Sequence, residues 1–116
     1  MTDQTTASLN ASGASGAQRV WFNRPEFDLI LRLYGRLVAE GECRDYAIGA
    51  FGDHAVFCMH KRASEAPSWT VEKRPELARK QGAFSVLNST GQILKRGHDL
   101  AQVLRVFDKR LSLVGG

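Results

Sequence analysis

Between Phe27 and Val38 the apolar residues recur three and four apart: Phe27, Ile30, Leu31, Tyr34, Leu37 and Val38. That spacing draws one stripe along an α-helix. The ends are also signalled. Asn23 can cap, and Glu26 three residues later completes a capping-box pattern, with Phe22 and Phe27 spaced for a hydrophobic staple. Pro25 suits a first turn and Gly41 a stop. The pattern predicts a helix over 24–40, and the short "RVWF" before it has the composition of a strand.

The rhythm then changes. "RDYAIGAF" and "HAVFCMHKR" are rich in aromatic and branched residues and flank Gly52-Asp53, which predicts a tight hairpin. Gly49 inside the first run is a candidate bulge. The second run has apolar groups of both parities and suits a central strand. "SWTVEKR" reads as a third strand with Trp69 and Val71 on one face. "GAFSVLNS" and "QILKR" make another hairpin around Thr90-Gly91. Helical spacing returns at Leu100, Val103, Leu104, Phe107 and Leu111, with Asp99 in the first turn and Lys109-Arg110 in the last. Short turns between strands imply an antiparallel meander. The expected fold is α+β: about five strands, with an N-terminal and a C-terminal amphipathic helix packed on one face.

Residues 1–18, "MTDQTTASLNASGASGAQ", have no periodicity and little to fill a core. They read as a disordered tail ahead of a single domain at 19–114. The stretch lacks the apolar run of a secretory signal. No later segment approaches the roughly 18 apolar residues of a membrane span. A cytoplasmic protein without membrane contact is expected, with Cys43 and Cys58 reduced.

Charge changes the picture. Residues 1–59 carry five basic and seven acidic side chains, whereas residues 60–116 carry eleven and five. Three basic pairs close strands: Lys61-Arg62, Lys73-Arg74 and Lys95-Arg96. In a meander, the strands ending at Lys73-Arg74 and Lys95-Arg96 run the same way and finish at one edge. The connection "EKRPELARKQGA" leaves from that edge with Arg79 and Lys80, and the last helix starts there at Gly97-His98, where free N–H groups are expected. Lys73, Arg74, Arg79, Lys80, Lys95, Arg96 and His98 are therefore the candidate anion-binding residues. The ordinary reading of such pairs is solubility and edge protection. The sharper one is a basic edge for nucleic acid or another polyanion. Stacking aromatics are thin near it, because Phe84 and Trp69 suit the core.

Other chemistry is weakly signalled. His54, Cys58 and His60 share a strand parity, but the paired spacing of zinc sites is missing. Two residues of one strand face do not make a nucleophile pair. There is no phosphate-loop pattern and no carboxylate pair set by spacing, so no cofactor, metal or catalytic residue is expected. Leu29, Leu33 and Val106 flank the apolar helix stripes, as part of a wide buried face or as a surface for a homodimer or protein partner.

"LYGRLVAEGECRDYAI", "EKRPELARKQGAFSV" and "GQILKRGHDLAQVLRVFDKRL" together resemble a family of short bacterial proteins of unknown function. The resemblance covers about residues 20–114. It implies a bacterial cytosolic protein and brings no activity, cofactor or site residue. On the residues alone, the leading expectation is a non-enzymatic binding domain for an anionic partner. The alternative is a protein-interaction or regulatory module docking through helix surfaces.

Overall fold

Asn23 caps the first helix as its sequence requires. In the computed structural model, which describes residues 18–108, helix α1 spans Arg24–Ala39. The Asn23 side chain accepts from the Glu26 N–H at 2.9 Å and the Glu26 carboxylate accepts from the Asn23 N–H at 2.8 Å. Phe22 and Phe27 both pack against the core. Gly41 ends the helix at a φ of 78°, a conformation that favours glycine.

Five strands follow: β1 (Asp45–Ala50), β2 (Ala55–His60), β3 (Trp69–Lys73), β4 (Phe84–Asn88) and β5 (Ile93–Gly97). They form one antiparallel sheet in the order β1-β2-β3-β4-β5. A short helix, α2 (Leu100–Leu104), comes last. Residues 1–17 and 109–116, with the expected tail and the Lys109-Arg110 and Leu111 positions, lie outside the described residues.

Register assigns the faces. Tyr46 pairs with Met59 and Ile48 with Phe57. Met59 pairs with Trp69 and Phe57 with Val71, and Val71 in turn with Val86. Directly paired residues share a face, so these side chains form one surface. α1 covers its β1–β2 side, where Phe27 and Tyr34 meet the Phe57 ring edge-on at 6.1 and 6.0 Å. α2 covers the β4–β5 side, and Phe107 just beyond it meets Trp69 at 5.5 Å. Both helices thus lie on one face, as the amphipathic stripes require. Phe57, Met59, Val71, Val86 and Val103 are 0–1% exposed between the layers. A fully buried side chain of this kind contributes roughly 1.5–3 kcal/mol.

Several expectations are corrected. "RVWF" is not a strand, although the Val20 N–H donates to the Phe51 carbonyl at 2.7 Å. Gly49 makes no bulge: β1 and β2 stay in register throughout, and the Phe51 ring lies over the space a Cβ would need. The irregularity falls between Val86 and Leu87, where β5 carries one extra residue, Leu94, between their partners Lys95 and Ile93. β2 is inside the sheet but the centre is β3. The last helix is broken by a turn at Arg105. Val38, expected in the apolar stripe, is 43% exposed, whereas Leu33 on the flank is core at 2%, in keeping with a wide buried face.

Two glycines separate backbone strain from crowding. Gly82 has a φ of 107° and an added Cβ would lie 2.2 Å from the Gly97 carbonyl carbon, whereas Gly91, at a φ of 84°, faces open space. Gly91→Ala should cost about 1 kcal/mol in urea unfolding. Gly82→Ala should cost more than about 2 kcal/mol, since the backbones must also part.

Candidate anion-binding end of the sheet

Lys73, Phe84 and Gly97 share one row of the sheet: Lys73 pairs with Phe84, and Phe84 with Gly97. The end of β3, the start of β4 and the end of β5 therefore meet. The 74–83 connection is closed by the Arg74 N–H donating to the Ala83 carbonyl at 2.7 Å. Inside it, Pro75–Leu77 form a 3-10 turn, and the Leu77 carbonyl accepts from the Lys80 and Gly82 N–H groups at 3.0 and 2.9 Å. This small knot exposes Arg79 and Lys80 and presses Gly82 onto the Gly97 backbone. The Arg96 guanidinium donates to the Gly82 carbonyl at 3.3 Å, fastening the connection to β5.

The seven candidates divide by what holds them. The Lys73 ammonium donates to Glu26 Oε1 at 2.7 Å and to the Trp21 carbonyl at 2.9 Å. That pair is mostly covered, with side chains 16% and 15% exposed. Lys73 thus turns to the helix face. Arg74 turns to the other face, where its Nε donates to Glu72 at 3.1 Å and its Nη1 to Asp53 at 3.3 Å. Arg96 lies on that same open face, opposite Ser85. Arg79, Lys80, Lys95 and His98 are exposed, and no ion pair holds them among the described residues. One of the N–H groups expected free after Gly97 is taken. The Asp99 side chain accepts from the Ala101 N–H at 3.0 Å and puts a carboxylate at the helix start.

The acidic partners were the part that spacing did not single out. Glu72 and Arg74 are two apart on a strand, so their shared face was readable in principle. Asp53 was not, because it arrives from the β1–β2 turn. It sits beside His54, whose Nδ1 lies 2.6 Å from Asp53 Oδ1 while the imidazole stacks on Phe51 at 4.6 Å. The His54 hydrogen bond, and then the His54 and Arg74 charges, hold the Asp53 carboxyl below its ordinary 3.8 despite some burial. Burial alone would lower Arg74, but Glu72 and Asp53 outweigh it and raise its pKa. Ser85 is fully buried between Glu72 and Arg96 in register, and its Oγ has no hydrogen-bond partner.

Elsewhere, Lys61 and Arg62 follow β2 at the opposite end of the sheet, where they line a polar hollow of about 410 Å³ with Arg44 and Asp45. Cys58 and His60 do share the open face, but the His60 Nδ1 is 3.1 Å from the Glu65 carbonyl and His54 is taken by Asp53. Among the described residues, no three His, Cys, Asp or Glu side chains gather as a metal site. Between α1 and α2 runs a groove of about 260 Å³ with an apolar floor that includes Leu29, Leu33 and Leu104, rimmed by Arg32, Arg36 and Arg105. Arg36 closes one end by donating to Asp108 at 3.0 Å. No helix among the described residues is long and apolar enough to cross a membrane.

This division predicts unequal losses. Lys73→Ala strands the Glu26 carboxylate in a mostly covered place and should cost about 2 kcal/mol by urea unfolding, between the surface and buried limits for ion pairs. Arg79→Ala and Lys80→Ala should each cost under about 0.5 kcal/mol. Asp53 adds a pH dependence. Its pKa is depressed in the folded state, so its stabilising contribution is complete above 3.8 and is lost as pH falls through the lowered value. Asp53→Asn should therefore flatten the Tm-against-pH curve in that acid range.

The comparisons with known proteins concern the fold region as a whole. No curated protein and no solved structure matches the chain. Residues 20–104 match the family model described as "Protein of unknown function (DUF2794)", and the chain belongs to that family.

Proposed function

We propose that this chain is a non-enzymatic binding domain that meets an anionic partner, nucleic acid, through the sheet end at Arg79, Lys80, Arg96 and His98, with Lys95, opposite Val86, on the helix face beside it. The observation that supports the reading most is the seating of Gly82 on Gly97. It ties the basic connection to the end of β5, so that Arg79 and Lys80 share a sheet end with Arg96 and His98. Lys73 and Arg74 belong to the sequence motif but serve differently. Their charges are met by Glu26, Glu72 and Asp53, and their role is to hold the backbone from which the connection springs. With few exposed cations and no base-reading element, the expected binding is backbone-directed, salt-dependent and sequence-tolerant.

A second reading, docking of a protein partner on helix surfaces, is favoured by the arginine-rimmed groove between α1 and α2. Salt separates the two, because phosphate contacts release counterions whereas apolar docking does not.

The full chain titrated with mixed-sequence DNA or RNA should bind with an affinity that falls steeply as salt rises. Replacing Arg79 and Lys80 with Ala should leave the Tm almost unchanged, weaken binding, and make the salt slope shallower by about one to two. An intact protein with no salt-dependent affinity for nucleic acid would overturn the proposal.

A further inference from the structure

The two outer strands of the sheet are built differently. β5 carries the Val86/Leu87 irregularity along its pairing and ends in Lys95 and Arg96. Bulges and lysines are ordinary devices that stop an outer strand from pairing with another chain. β1 has neither. It pairs with β2 in unbroken register over six residues, and its sequence, Asp45-Tyr-Ala-Ile-Gly-Ala50, contains no Pro, Lys or Arg.

β1 also presents apolar side chains to solvent. Among the described residues, seven large apolar side chains are exposed: Tyr46 and Ile48 in β1 with Phe51 just beyond it, Ile93 and Leu94 in β5, Val38 in α1, and Trp21 ahead of α1. Tyr46 is tied to α1 through Tyr34 at 5.1 Å, one helical turn before Val38, and the Val20 bond to Phe51 brings Trp21 to the other end. Tyr46 and Ile48 stand on the helix face of the strand, and Phe51, stacked on His54, on the other.

We propose that β1 is a self-association edge: two copies of this chain pair β1 against β1 antiparallel about a two-fold axis at Ile48, joining their sheets into one. Backbone polarity fits this. The Phe51 N–H donates to the His54 carbonyl at 2.8 Å, which makes Phe51 and His54 a hydrogen-bonded pair. Bonding alternates along an antiparallel ladder, so Gly49 and Ala47 point their N–H and C=O groups into β2, while the Phe51 carbonyl accepts from the Val20 N–H. Tyr46, Ile48 and Ala50 point theirs outward. An axis at Ile48 sets Ile48 against its own copy and Tyr46 against Ala50, so the outward groups of both strands are satisfied.

Side chains agree with that register. A perpendicular two-fold keeps both helix layers on the same face, so Ile48 meets its own copy at the axis and the exposed part of Tyr46 lies against the second copy's Ala50. Tyr46 and Ile48 supply the apolar part of the contact, which is small beside the roughly 800 Å² per partner of a standard interface, and the paired strand backbones supply its polar part. Arg44 falls opposite the Gly52-Asp53 turn of the other copy, so unlike charges face each other at both ends. The Arg19 guanidinium, which donates to the Ala50 carbonyl at 2.9 Å, gives up that exposed bond to the second copy's Tyr46 N–H.

Analytical ultracentrifugation of the full chain across a concentration series tests this. The expected species has twice the 12.8 kDa chain mass. Ile48→Lys should raise the dimer dissociation constant by about tenfold or more with an unchanged far-ultraviolet spectrum, while Arg36→Ala, in the helix groove, should leave it alone. Hydrogen exchange on the unaltered protein gives a second reading that needs no variant: the Tyr46 and Ile48 amides should exchange more slowly as concentration rises. A chain that stays monomeric at every concentration overturns the proposal. So does a dimer whose formation leaves those two amides unprotected, which would assign association to the helix groove or another surface.

Discussion

One carboxylate oxygen joins the two halves of this fold. Glu26 Oε1 accepts from the Asn23 N–H, which closes the cap of α1, and from the Lys73 ammonium at the end of β3. The same ammonium donates to the Trp21 carbonyl just ahead of the helix. The position where α1 begins is thereby fixed on the sheet, and the direction in which it leaves determines which side chains descend on Phe57. Both partners are mostly covered, so the pair is worth more than an exposed one and more costly to break.

That pairing bears on function as well as on stability. A basic pair at a strand end invites one reading for both residues, yet the alternating parity of a strand sends Lys73 and Arg74 to opposite faces. Each finds carboxylates there. The charge left available is that of the connection itself and of the end of β5, where Arg79, Lys80, Lys95 and His98 are exposed. The glycine contact between residues 82 and 97 brings those two pieces of chain together without side-chain contacts, because two backbones can approach that closely only where neither has a Cβ in the way.

The sheet has a second asymmetry, between an outer strand blunted by an irregularity and basic residues and one that is regular and apolar. The β1 edge and the basic end approach each other where Asp53 of the β1–β2 turn reaches Arg74 at the end of β3.

Much of the architecture was legible in the sequence. The spacing of Phe27, Ile30, Tyr34 and Leu37, with the Asn23–Glu26 cap, determined α1 nearly to the residue. The turns at Gly52-Asp53 and Thr90-Gly91 determined the hairpins, and with them which strand ends meet, because those features depend on neighbours a few residues apart. The tertiary structure alone decided the rest. Leu33 is core because α2, seventy residues on, covers its side of α1. Glu26, Asp53 and Glu72 neutralise cations of the basic motif because folding brings a helix cap and a distant turn to the end of β3. The sequence specifies how many charges a segment carries. Only the packed chain specifies which are already paired, since pairing needs distances that strand and helix periodicity do not contain.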